Sequence, residues 1–114
     1  MSILSELNAL VTALGLPVET GVFRGKAPDE YVVLTPFTDT FSLWADDRPT
    51  FDVEEVRISL YSKGNYRQRK RALERALLRG DFTITERRYI GHEDDTGYHH
   101  YTIDAAKRYE ISEQ

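Results

Sequence analysis

An α+β domain, with two helices packed on one face of a mainly antiparallel sheet, is predicted by three features of this 114-residue chain. Ile3, Leu7, Leu10 and Leu14 recur at three- and four-residue spacing, the period of a helix with one apolar face. Val56, Ile58 and Leu60 alternate with Arg57, Ser59 and Tyr61, the period of a strand buried on one side. Tyr66, Leu73 and Leu77, flanked by Ala72 and Ala76, form a second helical stripe. A chain of this length holds one core, so residues 1–114 read as a single domain in the order α-β-β-β-α-β-β.

The first helix has Leu4 and Val11 widening its stripe, Ser2 as N-cap and Gly15 as the residue past its end, with Pro17 making the stop firm. Residues 15–30 are too rich in glycine and proline for a long element, although Val18 and Val22-Phe23 suit short edge pairings. Their charges suggest a solvated loop that moulds onto a partner. Tyr31 to Thr35 reads as a β-branched strand ended or broken by Pro36, and Phe37 to Trp44 as an imperfectly alternating second strand. Asp46-Asp47-Arg48-Pro49 carries turn residues.

Phe51 to Tyr61 is the strongest strand. Phe51 and Val53 have the opposite parity to Val56, so a bulge near Glu54-Glu55 is expected to bring both sets to one face; a strand sandwiched between layers needs none. Gly64-Asn65 introduces the second helix, with Asn65 or Ser62 as cap, and Gly80-Asp81 closes it. Phe82 to Ile90 and Tyr98 to Ala105 then form a hairpin around the polar loop Gly91 to Gly97. Tyr61, Tyr89, Tyr98 and Tyr101 lie in strands, and some of them are expected to cover the sheet face opposite the helices, where another subunit could bury them.

Composition excludes several classes. With no cysteine there is no disulfide scaffold, thiolate nucleophile or Cys-ligated metal, which fits a reducing compartment. The N-terminus lacks the basic region and apolar run of a secretory leader, and no stretch approaches the roughly 18 apolar residues of a membrane span. There is no Gly-x-Ser-x-Gly elbow and no Walker-type phosphate loop. The carboxylate pairs Asp46-Asp47, Glu54-Glu55 and Asp94-Asp95 are accounted for by turns and by strand-edge protection. His92, His99 and His100 fall within nine residues, an assembly that with a neighbouring carboxylate would suit zinc, but His99 and His100 point to opposite faces of a strand. They are read as ordinary loop and strand-surface histidines, with no metal, cofactor or catalytic site expected.

The sharpest electrostatic feature is the second helix. Lys63, Arg67, Arg69, Lys70, Arg71, Arg75 and Arg79 stand against Glu74 alone, so this segment carries +6 in a chain of net charge −4 and leaves −10 elsewhere. Arg67, Arg71 and Arg75 follow at four-residue spacing, with Arg79 continuing the stripe, which makes one row. Such a row serves as a solvated face covering apolar surface, or as a contact for a nucleic-acid backbone or an acidic protein surface.

The order of features resembles the tail-terminator and tail-to-head joining proteins of phages, such as the lambda-type tail terminators and the tail completion proteins of Gram-positive prophages. The resemblance runs from Leu7 to Tyr109. It includes Ala27-Pro28-Asp29-Glu30-Tyr31-Val32-Val33, the strand ending Trp44-Ala45-Asp46-Asp47, Val56 to Lys63, Gly80-Asp81-Phe82-Thr83-Ile84 and Asp94-Asp95-Thr96-Gly97-Tyr98-His99-His100. It implies a non-enzymatic virion subunit that forms a ring, commonly a hexamer. The ring caps the tail tube, meets a head-completion or connector protein, and surrounds passing DNA. The same resemblance covers head-completion or adaptor proteins of the connector. A nucleic-acid-binding accessory domain using residues 63–79 is the alternative from the charge pattern alone.

Overall fold

The computed structural model describes residues 2–45 and 48–110, with the backbone alone described over residues 38–45 and 48–50. Its elements run α1 (Ile3–Ala13), β1 (Val18–Thr20), β2 (Glu30–Ala45), β3 (Arg48–Ser62), α2 (Tyr66–Arg79), β4 (Thr83–His92) and β5 (His99–Glu110). The strands form one sheet in the order β1-β2-β3-β5-β4. β1 lies parallel to β2 and the remaining neighbours are antiparallel.

Both helices cover one face of this sheet. Ile3, Leu7 and Val11 of α1 and Leu73 and Leu77 of α2 join Val32, Leu34, Val56, Ile58, Leu60, Tyr101, Ile103 and Ala105 in a single buried cluster. The stripe of α1 is centred on Ile3, Leu7 and Val11, while Leu4, Leu10 and Leu14 flank it half-buried. The predicted α+β class and element order are those observed.

The partition of the strands differs from the expectation in three ways. Tyr31–Thr35 and Phe37–Trp44 are one strand, β2, and the third strand before α2 is the short β1 at the edge. Val22 and Phe23 stay outside the sheet. The bulge is in β2, not at Glu54-Glu55: Pro36 pairs with Val56 and Thr38 with Glu55, leaving Phe37 as the extra residue. β3 meanwhile pairs with β5 without a shift from Phe51–Glu110 to Ser62–His99, so Phe51 and Val53 stay on the face opposite Val56. Proline explains the location, because Pro36 has no N–H for the ladder and the irregularity settles beside it. The turn expected at Asp46-Asp47 lies outside the described residues, while Arg48 and Pro49 already belong to β3.

The tyrosines divide between the faces. Tyr101 pairs with Leu60 and lies two residues from Ile103, so strand parity carries it into the helix-covered core, and Tyr89, paired with Tyr101, follows it. Tyr61 and Tyr98 are on the helix-free face. There Tyr31, Tyr61 and His100 are cross-strand neighbours with stacked rings, 4.7 and 4.2 Å between successive centroids. Tyr98 packs edge-on against Tyr31 and Tyr61 and donates its hydroxyl to the Pro28 carbonyl at 2.6 Å. Phe23 covers Tyr31 at 4.7 Å. The segment expected to be a solvated loop is mostly exposed, and it is held to the sheet by its one aromatic residue, Phe23, and by the Pro28 carbonyl.

Both helices end in the same hydrogen-bonded turn. Leu16 and Gly15 N–H groups bond the Val11 and Thr12 carbonyls after α1, and Phe82 and Asp81 N–H groups bond those of Leu77 and Leu78 after α2. The left-handed position is Gly15 (φ +81°) in the first case but Asp81 (φ +64°) in the second, with Gly80 one residue early at φ −87°. An aspartate there is strained and places a carboxylate at the negative end of the helix dipole. Asp81→Gly is expected to stabilise the domain by about 0.5–1 kcal/mol in denaturant titration. Gly80→Ala is expected to destabilise it, because the new Cβ would sit 3.2 Å from the Phe82 ring.

Candidate functional site: an outward arginine row on the second helix

Asn65 caps α2 by accepting a hydrogen bond from the Gln68 N–H, and Leu73 and Leu77 fix the helix to the core. With about 100° between successive residues, Arg71, Arg75 and Arg79 lie on the side away from Leu73 and Leu77, and Arg67 lies at its flank, about 80° from Leu77. All four are exposed. The seven cations of the segment thus separate into two sets.

Three are tied to the body of the domain. Lys63 sits over the Tyr98 ring at 4.8 Å, with Asp29 3.8 Å away. Arg69 donates to Glu30 at 3.1 Å and to the Leu14 carbonyl at 3.4 Å, joining α2 to β2 and the end of α1. Lys70 lies over the buried Tyr101 ring at 5.1 Å. The four row arginines are different: among the described residues none of them pairs with a carboxylate. Arg67 lies 6.0 Å from the Tyr66 ring centre, and the hydrogen bond and charge of the Tyr66 phenol raise its pKa further. Glu74, the segment's sole acid, is taken by Arg87 of β4 at 3.0 Å. A shallow concavity of about 650 Å³ lined by Asn65, Arg67, Gln68, Arg71, Ala72 and Arg75 gives the row a surface able to seat an anionic ridge.

The histidines separate as strand parity requires. His100 faces the helix-free side, stacked on Tyr61, where burial pushes its imidazole pKa down. His99 faces the helix side, beside Tyr66 and paired in register with His92. Of the carboxylate pairs, Glu55 accepts from the Thr85 hydroxyl and Asp94 contacts His92, while Asp46-Asp47 lies outside the described residues. Among the described residues no group of three or more His, Asp or Glu has metal-holding geometry. Another concavity, about 760 Å³, opens between Phe51, Val53, Thr83 and Ala106; its cations are engaged, Arg108 over the Phe51 ring at 5.0 Å and Lys107 with Glu6 at 2.8 Å.

The sequence reading missed the ion pairs that bridge elements. Arg57 and Asp104 meet across β3 and β5 in a two-pronged contact at 2.9 and 3.0 Å. Lys107 links β5 to Glu6 of α1 and to the Gly80 carbonyl at the end of α2. Each joins residues far apart in the chain, brought together by strand register for Arg57 and Asp104 and by helix packing on the sheet for Lys107.

No family model matches this sequence, and no curated protein matches it either.

Proposed function

We propose that this chain is a structural subunit of a phage virion that caps the tail tube and joins tail to head, working as a ring oligomer without a catalytic role. The observation carrying this reading is the arginine row: four outward cations with no carboxylate partner among the described residues, on a domain of net charge −4. Three neighbouring cations are consumed by the fold, so the row remains available for an external anionic surface. In an assembly that surface is the acidic exterior of the next subunit or the DNA that passes through the ring. The resemblance in feature order and the α+β architecture favour the same class. Its place would be the head–tail interface of the virion, with the host cytoplasm during assembly, and its partners the tail tube protein and the head-completion or connector protein. A head-completion or adaptor role in the same connector rests on the same surface.

Mass measurement of the purified chain, alone and mixed with tail tubes, tests the proposal. A ring-sized species bound to tube ends is the expected result, and a chain that stays monomeric and unbound in both samples overturns it. The exposed arginine row equally favours a second reading, a nucleic-acid-binding accessory domain. Under that reading the monomer binds duplex DNA with an affinity that falls steeply between low and moderate salt.

A further inference from the structure

We propose that His92 and His99 form a two-imidazole site for a divalent transition-metal ion of the zinc and nickel class, at the end of the β4–β5 hairpin. The two residues are direct partners in the ladder, so their Cα positions are fixed by the same antiparallel pairing that builds the sheet. Their ring centroids stand 4.7 Å apart at 49°. Two imidazoles holding one ion at about 2.0–2.1 Å with a near-tetrahedral angle have ring centres about 5 Å apart, a spacing the His92 and His99 rings already have.

The outer hydrogen bonds add a second, independent argument. Metal-bound imidazoles characteristically give their other ring nitrogen to an oxygen, which fixes the tautomer and aims the coordinating nitrogen. Both rings have an oxygen placed for it: Nδ1 of His92 meets the Asp94 carboxylate at 3.1 Å, and Nδ1 of His99 meets the Tyr89 hydroxyl, which can accept in the Nδ1–H tautomer, at 2.9 Å. With each Nδ1 carrying its proton toward that oxygen, each Nε2 keeps a lone pair for the ion. Tyr66 at the start of α2 packs on the His99 ring, centroids 5.0 Å apart, and limits its rotation. His92 is 40% exposed, so an ion can reach the pair. Borderline ions that accept nitrogen ligands suit two imidazoles, whereas magnesium and calcium prefer oxygen. Water or a donor from another molecule would complete the coordination.

His100 is the internal control. It is adjacent in sequence but stacked on Tyr61 on the other face of the sheet, 4.2 Å between centroids. The test follows the three imidazoles by long-range ¹⁵N NMR of the full, untagged chain during titration with zinc chloride, with magnesium chloride as comparison. His92 and His99 are expected to shift together in their Nε2 signals, to saturate at one zinc per chain and to ignore magnesium, with His100 unmoved. His92→Ala and His99→Ala should each weaken zinc binding at least tenfold, with backbone spectra showing the fold retained. Asp94→Asn should weaken it by about tenfold through the outer hydrogen bond, and His100→Ala should leave it unchanged. No shift of His92 and His99 at millimolar zinc, an equal response from His100, or wild-type binding by either alanine variant at position 92 or 99 would overturn the assignment.

Discussion

Replacing Arg67, Arg71 and Arg75 together with glutamate is expected to abolish assembly while leaving the domain folded. The two halves of this expectation have separate causes. All three side chains are exposed, and none has a carboxylate partner among the described residues, so no internal ion pair there is lost. Of the like-charge pairs four residues apart, 67/71 and 71/75 stay like-charged as glutamates, and only 75/79 turns from repulsive to attractive, each such pair being worth about 0.2–0.5 kcal/mol. Glutamate is nearly as good a helix former as arginine, and at position 67, in the first turn, it complements the helix dipole. Thermal melts should therefore match wild type or lie slightly above it. For any anionic partner the change reverses an attraction, taking three of the row's four side chains from positive to negative. Tail-tube binding by sedimentation, and complementation of a phage lacking the gene, should both fall to background. Unchanged assembly and infectivity in a well-folded triple variant would sink the role given to the row. If the partner is duplex DNA, substituting the three arginines with glutamine should lower the salt slope of binding by about 0.9 per lost phosphate contact. A protein partner leaves the chain without measurable DNA affinity in either form.

Local patterns in the sequence carried most of the fold, and long-range register accounts for what they missed. The α2 row was legible because a four-residue repeat on a helix needs no tertiary information to define a face. The same holds for Ser2 as a cap, for the α2 cap narrowed to Asn65 or Ser62, of which Asn65 is the one used, and for the opposed directions of His99 and His100. The bulge was misplaced because parity alone shows only that Phe51 and Val53 disagree with Val56. Which strand absorbs the irregularity depends on its partner, and Pro36 on β2 decides it. The separation of the seven cations was likewise hidden. Arg69 and Arg71 look equivalent in sequence, but Glu30 and the Leu14 carbonyl, both reached only after folding, claim the first and leave the second outside.

Arg57 makes the opposite prediction to the row, since its loss should harm the fold rather than assembly. Its guanidinium forms a two-pronged contact with Asp104, and the two partners are unequally buried: the Arg57 side chain is 46% exposed and that of Asp104 is 7%. Removing the arginine strands a desolvated carboxylate at the centre of the helix-free face, where Glu55 and Glu86 already add negative charge. Removing the carboxylate leaves a guanidinium that water can reach. Arg57→Met should thus cost about 2 kcal/mol, the cost of breaking a buried pair reduced for the half-exposed partner, and Asp104→Asn clearly less. For a domain of this size the first variant should melt about 10 °C lower. The double variant Arg57→Met/Asp104→Asn should recover part of the loss, because no unpaired charge then remains buried, and a double-mutant cycle isolates that coupling. Tail-tube binding by the Arg57 variant, measured well below its melting point, should stay at wild-type strength. A cost for Asp104→Asn equal to or above that of Arg57→Met would show that burial of the carboxylate is not what makes this pair matter.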